Sequence, residues 1–440
     1  MLAFLLEINA WVDTGQVFLF MIFMTVIWLL WLLRVTLASH YRPWQGNYRP
    51  TTSVIIPVVD EPEDLFRLVL GRIVEQDPTE IIVVINGPRN HALEKICADF
   101  GVRWVWTEVA GKRNALRIGV GMATGEIAVL VDSDTLWTSD TLRELVKPFR
   151  DPTVGGVTTR QRILDPGRSV LTRWADWLEN VRNEYSMPAM SVLGTVGCLP
   201  GRTIAFRREI LVQCMDKFLS ERFLGVFLEV SDDRTLTNYT LMAGYRTVYQ
   251  SSALVHTDAP TKLSKLARQQ YRWARGSQYN TLRMLWWMLR RTPVLAVFYV
   301  SDIVVPFVLV SALITWGISL YTGAKAWLYA AIPILPPEPW QILLTILLLS
   351  GLLTAASLSI RFGRHFAYRP DDLIYLPVFM LINTFLLIPI RVLGFFRMAH
   401  NASWGTRSGG FAGERRLNPL AAIPYLLGGT MLTALVMLGV

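Results

Sequence analysis

The sequence predicts an α/β domain built on a parallel, doubly wound sheet and set between membrane-spanning helices. Three observations predict it. Short apolar strand runs alternate with helical patterns between residues 39 and 290, as expected of βα units feeding a parallel sheet. Long uncharged apolar stretches flank that region on both sides. At the end of the apolar run Ile127-Ala128-Val129-Leu130 stand two carboxylates one residue apart, Asp132 and Asp134. A strand of that kind opens its acids onto the crevice where α/β sheets bind ligands, and both then point the same way. Two carboxylates so placed suit a hard divalent cation that keeps positions open for phosphate oxygens. Alone, Asp-x-Asp reads more readily as a solvated turn; Ser231-Asp232-Asp233 and Gln269-Gln270-Tyr271-Arg272-Trp273 at long range make the cation site the stronger reading.

A hydrophobic content of 52% with 16 Trp sets the chain apart from ordinary soluble enzymes. Its mean hydropathy is +0.35. Val17 to Leu33 is uncharged and is followed by Arg34, and it lacks a basic lead-in and a cleavage site, so it reads as an anchor. Residues 1–33 hold Glu7 and Asp13 but no Lys or Arg, whereas Arg34, Arg42 and Arg49 come just after. The positive-inside rule then places the N-terminus outside and the following domain in the cytoplasm, as expected for a multi-pass protein of the plasma membrane. The net charge of +9 fits anionic lipid head groups, and no basic, aromatic module for nucleic acid is present. Cys97, Cys198 and Cys214 lack metal-type spacing and read as reduced, buried thiols.

In chain order, Ser53 to Val59 is a buried strand ending in Asp60-Glu61, followed by a helical pattern through Leu65, Phe66, Leu68, Val69 and Leu70. Ile81 to Ile85 is a second buried strand, ended by the turn signal Asn86-Gly87-Pro88. Gly111-Lys112-Arg113 puts two cations before a helical run; this is a solvated helix start or, beside a metal-bound diphosphate, a nucleotide contact. Gly197 to Thr203 is a turn-rich loop before the strand Ile204-Ala205-Phe206, either an acceptor-site loop or a surface connection. Ser231-Asp232-Asp233-Arg234 opens a helix, where backbone N–H groups stabilise carboxylates. Capping accounts for one acid, and a base poised to take a proton accounts better for two. Helical spacing places Gln269, Arg272 and Trp273 on roughly one face, where an aromatic plane can carry a sugar and a guanidinium can reach phosphate. Trp286-Trp287 read as interfacial anchors.

Further apolar stretches lie at about Leu295–Leu320, Ile342–Ile360, Leu373–Ile390 and Leu420–Val440. Arg361, Arg364 and Arg369 follow the second, and Arg391, Arg397, Arg407, Arg415 and Arg416 the third. If both basic segments are cytoplasmic, Leu373–Ile390, with Pro377 and Pro389, is re-entrant or interfacial; otherwise one basic segment lies outside.

In this order the motifs resemble those of the processive family 2 glycosyltransferases, most of all hyaluronan synthases and nodulation chitin-oligosaccharide synthases, with cellulose synthase more distant. The likeness rests on the anchor helix, Gly111-Lys112-Arg113, Asp132-Ser133-Asp134, Ser231 to Arg234, Leu236-Thr237-Asn238, Gln269 to Trp273 and the late Trp404-Gly405-Thr406-Arg407. It implies a GT-A fold over residues 39–290, an anchor over 1–38, and a transmembrane channel region over 291–440 with a gating-type loop at 391–418 that carries Trp404 and Arg407. It also implies Mn2+ or Mg2+ on Asp134 with Asp132 in support, and catalysis by Asp233 with Asp232 adjacent. Asp60, Glu61, Asn86 and Lys112 would contact the nucleotide. Gln269, Arg272 and Trp273 would frame the acceptor.

The expected reaction polymerises a nucleotide-activated sugar, a UDP-sugar in most of the family, into a β-linked polysaccharide passed across the bilayer. The alternative is single transfer to a lipid or lipid-phosphate acceptor, and a rival of another class is a transporter that senses nucleotide sugars. Two departures stand out: Asn86 occupies a position where the family commonly has a uracil-reading Asp, and there is room for one N-terminal membrane helix where many hyaluronan synthases have two.

Overall fold

Strings of Ile and Val make the first half of the sheet. In the computed structural model, which describes residues 19–227, 230–322, 339–400 and 419–437, β1 (Thr52–Val58), β2 (Glu80–Asn86) and β4 (Ile127–Val131) are buried at every position except Glu80. Strands covered on both faces need no polar alternation, hence their continuous apolar runs. Helices α2 (Glu63–Val74), α3 (His91–Asp99) and α4 (Lys112–Met122) cross between these strands and the edge strand β3 (Arg103–Thr107). β1 pairs in parallel with both β2 and β4, giving the order β3-β2-β1-β4. The chain therefore winds outward from β1 to β3 and restarts on the other side at β4. The exits of β1 and β4 flank that topological switch point, which brings Asp60-Glu61 beside Asp132-Ser133-Asp134.

The second half of the sheet departs from the parallel expectation. β5 (Thr135–Trp137), β6 (Val154–Ile163), β7 (Thr203–Arg207) and β10 (Arg246–Thr257) complete an eight-stranded sheet of order β3-β2-β1-β4-β7-β6-β10-β5. β7 is antiparallel to both β4 and β6, and β5 is antiparallel to β10, so the sheet is mixed. The cause is the connection. After β6 the chain runs through α5's successors α6 (Val170–Val181), a π turn at Arg182–Ser186 and α7 (Met187–Val192), α5 itself (Thr141–Val146) having preceded β6. It re-enters the sheet at the end where β4 leaves, with Val131 opposite Thr203, and the Gly197–Arg202 segment lies over the crevice as a result. Then follow α8 (Arg208–Leu219), the hairpin β8 (Arg222–Phe223) and β9 (Val226–Phe227), α9 (Asp232–Met242) and α10 (Leu263–Arg291).

The chain divides into two units, Arg34–Val297 with Met398–Ala421, and Met1–Leu33 with Phe298–Arg397 and Ala422–Val440. The second holds most of the long apolar helices: α1 (Leu19–Ser39), α11 (Pro293–Thr322), α12 (Pro339–Arg361), α13 (Gly363–Tyr368), α14 (Asp372–Ile382), α15 (Ile388–Phe396) and α16 (Ile423–Met437). Among the described residues, Pro293–Thr315, Asp372–Phe396 and Pro419–Met437 are long and apolar enough to cross a bilayer, and this is a membrane protein. Asp372–Phe396 is continuous, α14 joining α15 through a π turn at Asn383–Leu387. Its 25 residues reach about 37 Å, long enough to cross a bilayer. Within this unit Trp31 Nε1 donates to the Arg361 carbonyl at 3.2 Å, and the Arg361 guanidinium lies 5.7 Å from the Trp28 ring. His365 Nε2 meets Asp372 Oδ2 at 2.8 Å, both buried, tying α13 to the start of α14.

Two glycines of α4 give a direct check on how it packs. A Cβ on Gly119 would fall inside Ile55 of β1, whereas one on Gly121 meets nothing within 4 Å. Gly119→Ala should lower the thermal midpoint of the purified protein, while Gly121→Ala should leave it unchanged or raise it, by roughly 0.5–1 kcal/mol of helix propensity.

Candidate active site

Each acid of the crevice is delivered by a chain element that ends there. β1 delivers Glu61, whose Oε1 accepts from Ser133 Oγ at 2.7 Å. β4 delivers Asp132, whose backbone N–H donates to the Arg202 carbonyl at 3.0 Å. Lys112 is the first residue of α4, after Gly111 at φ 125°, and its ammonium bonds Asp132 Oδ1. From the first turn of α9, Asp233 accepts from the Arg234 N–H at 2.8 Å and from the Gly201 N–H at 3.2 Å. Lys112, Asp132, Gly201, Asp232 and Asp233 line one cavity.

The structure separates residues that were adjacent in sequence. Asp232 is buried and its Oδ1 accepts from Arg113 Nε at 2.7 Å, while Asp233 faces Lys112 and Gly201. Arg113, 2% exposed, also bonds Glu221 at 2.9 Å and the Phe218 carbonyl at 2.7 Å. It is thus a core ion pair and does not serve the nucleotide as considered from sequence. Asn86 is buried, with Nδ2 on the Val58 carbonyl at 3.0 Å and Oδ1 accepting from the Gly111 N–H at 3.1 Å. Its amide joins β1, β2 and the start of α4. Asp60 is exposed at the rim.

Gln269 and Trp273 line a second cavity with Trp174, Glu179, Leu266 and Arg202. Arg272 sits half-buried on the same helix, outside that lining. Arg202 was missed as a residue from sequence, although the loop holding it was singled out. Its Nη1 donates to Gln161 at 2.7 Å and Glu179 at 2.8 Å, and its guanidinium lies 5.9 Å from the Trp273 ring. Glu179 Oε2 is buried and lies 3.6 Å from Arg182 Nη1, an ion pair without a hydrogen bond. Nothing in the α6 pattern marks Glu179. Gly201 lines the first cavity and the next residue, Arg202, the second. Cys198, half-buried, brings its thiol to 4.0 Å from Asp233 Oδ2; burial, then that carboxylate, push it up to about 12. Cys97 and Cys214 are free and buried. Trp404 and Arg407 lie outside the described residues.

Burial raises Asp134 to about 6, with Asp132 and Glu61 adding to the shift and Arg202 and Lys112 opposing it. Burial also raises Asp233, against the Arg234 N–H and Lys112. For Lys112 burial favours the neutral amine, but Asp132, Asp232 and Asp233 outweigh it and hold the pKa above the ordinary value. Glu61, Asp132 and Asp134 therefore form a carboxylate group short of positive charge, which fits a divalent cation. Among the described residues no three His, Cys, Asp or Glu side chains are placed to hold a metal by themselves.

Residues 50–276, just over half of the chain, match the family described as glycosyltransferase like family 2. The chain belongs to that family and is a glycosyltransferase. It is 28% identical over 378 residues to an N-acetylglucosaminyltransferase of Rhizobium meliloti, covering 83% of each chain. To a hyaluronan synthase of Streptococcus pyogenes it is 25% identical over 393 residues, covering 85% of this chain and 88% of that one. The structure resembles the mannosyltransferase PcManGT of Pyrobaculum calidifontis, solved with GDP-Man and Mn2+, with a TM-score of 0.51 at 20% identity over 87% of this chain and 99% of that chain. The fold is GT-A.

Because folding raises the Asp134 pKa, the folded chain binds that proton more tightly than the unfolded chain. The stability this contributes is present below about pH 4, where both states are protonated, and is lost as the pH rises through about 6, so ionised Asp134 carries the full cost above that value. Without divalent ions, Asp134→Asn should raise the melting temperature at pH 7.5, for a gain of roughly 3 kcal/mol at most, and have a much smaller effect near pH 4. Equal effects at both pH values would show that burial and its acidic neighbours do not raise Asp134.

Proposed function

We propose that this protein is a processive, inverting polysaccharide synthase that uses a nucleotide sugar, a UDP-sugar by family resemblance, and exports its β-linked product. The carrying observation is that consecutive residues, Gly201 and Arg202, line two cavities: an acid crevice holding Asp233, and an aromatic pocket holding Trp273. This adjacency supports a sugar resting on Trp273 with its hydroxyl toward a carboxylate able to take its proton. Asp134 and Asp132 would hold Mn2+ or Mg2+, which neutralises charge on the leaving diphosphate. Asp233, raised by burial and oriented by the Arg234 and Gly201 N–H groups, accepts the proton of the acceptor hydroxyl as that oxygen attacks the anomeric carbon. The carbon–oxygen bond to the diphosphate breaks on the opposite face, so configuration inverts. No second carboxyl acid is needed, because the leaving group departs as a stabilised anion. Asp232 holds the start of α9 through Arg113, and Lys112 adds positive charge between the two groups of acids.

Export is supported by chain order: α10, which carries Trp273, ends at Arg291, and α11, an apolar helix long enough to span, begins at Pro293. A polysaccharide crossing lipid unaided would shed hydroxyl hydrogen bonds at several kcal/mol each, which calls for a protein-lined path. Asn383 and Thr384 fall in the π turn of the α14–α15 helix, a local opening of the backbone ladder that recurs at functional sites and supports a lining role. The basic residues after α1 support a cytoplasmic catalytic domain.

The test is the protein alone in sealed vesicles with its catalytic domain outward, Mn2+ and single radiolabelled nucleotide sugars or pairs of them. Long polymer protected in the lumen from an added matching glycosidase is expected, with activity lost in excess chelator. Lipid-extractable product carrying one sugar would establish the non-processive reaction instead.

A further inference from the structure

The helix that carries Gln269 and Trp273 also carries the support of the base. α9 starts on Ser231, whose φ of 58° lies in the left-handed region that glycine adopts freely and serine does not. The Ser231 side chain makes no capping bond to its own helix. It rests instead on Gly276 of α10. A Cβ at Gly276 would overlap Ser231 Oγ and stand 2.7 Å from Ser231 Cβ, whereas the nearest backbone atom of Ser231, its Cα, is 3.8 Å away.

Polar bonds continue the seam between the two helices. Arg234 donates to Ser277 Oγ at 2.6 Å and to Thr281 Oγ1 at 2.8 Å. Asn238 Nδ2 donates to Asn280 Oδ1 at 2.7 Å. Tyr279 OH donates at 2.9 Å to the carbonyl of Val230, the residue before Ser231. Gly276, Ser277, Asn280 and Thr281 recur at helical spacing and make one face of α10. Trp273 is three residues before Gly276, about 4.5 Å along the same helix, and Asp233 is two residues after Ser231.

We propose that Gly276 is a positioning residue for transfer: its bare Cα leaves room for the Ser231 side chain, so that the start of α9 lies close against α10 and the polar bonds of the seam set the distance between Asp233 and the acceptor-binding face of Gln269 and Trp273. The inference rests on the reading of Asp233 as the base. A side chain at position 276 displaces Ser231 and the first turn of α9 with it, while the exits of β1 and β4, which form the nucleotide side of the crevice, are left in place. Misplacement of a reacting group by about 1 Å costs on the order of a hundredfold in rate.

The test compares Gly276→Ala, Ser231→Gly and the double variant in the full-length protein, measuring nucleotide-sugar binding, kcat, KM and melting temperature. Gly276→Ala is expected to bind donor with unchanged affinity and to lose ten- to a hundredfold in kcat. Ser231→Gly alone should stay within about twofold of wild type, since glycine suits that backbone. The double variant should recover most of the lost kcat, because only the Ser231 side chain stands in the way of the new methyl group. Wild-type kcat in Gly276→Ala overturns the proposal. So does a double variant that remains inactive or unfolded, whatever the single variant does. Failure of the underlying reading is seen separately, as normal turnover in Asp233→Asn with this rescue pattern intact.

Discussion

Lys112 lies half-buried at the start of α4, bonded to Asp132 and near enough to Asp232 and Asp233 for all three to hold its proton. Removing so many carboxylates from water is costly unless cations and N–H groups share the site. The geometry of the crevice follows from that constraint. β1 and β4 must pair in parallel for Glu61 to meet Asp132 and Asp134, and the Gly197–Arg202 segment must cross the sheet end for its backbone to reach Asp132 and Asp233. Under the proposed function a divalent cation would supply positive charge beside Asp134, whose ionised form costs the protein stability on its own.

Behind the crevice a second set of charges is satisfied wholly by the protein. Arg113 binds Asp232 and Glu221, Glu221 also pairs with Arg283 of α10, and Thr235 donates to Glu221 at 3.0 Å. Loss of one partner from a buried pair of this kind costs about 3–5 kcal/mol, because the other charge is left stranded. Such a network is rigid, and it joins α4, α9 and α10, the helices that present Lys112, Asp233 and Trp273. Precision at the reacting atoms therefore derives from charges that never touch substrate.

Much of this was legible in the sequence because the signals were local. The apolar runs of β1, β2 and β4 and the acids at their exits need no tertiary context, and neither does the helical spacing of Gln269 and Trp273. The direction of β7 was not legible, since it depends on where the chain returns after α7. Arg113 looked like a nucleotide ligand beside Lys112, but one residue along a helix turns a side chain by about 100° and put it in the core. Glu179 sits in an ordinary amphipathic helix, and only packing against Arg202 and Trp273 gives it a place in the site. Asn86 carries an amide committed to backbone bonds, which its residue type alone does not reveal.

The central claim is a division of labour, with Asp134 serving the nucleotide and its metal and Asp233 serving the acceptor proton. Donor binding and sugar transfer measured side by side in Asp134→Ala and Asp233→Asn, with saturating Mn2+, test it most directly. The account predicts that Asp134→Ala loses donor affinity, whereas Asp233→Asn binds donor normally and transfers on the order of a hundredfold more slowly or worse. Near-normal transfer by Asp233→Asn together with an inactive Asp232→Asn, or unchanged donor affinity in Asp134→Ala, would contradict it.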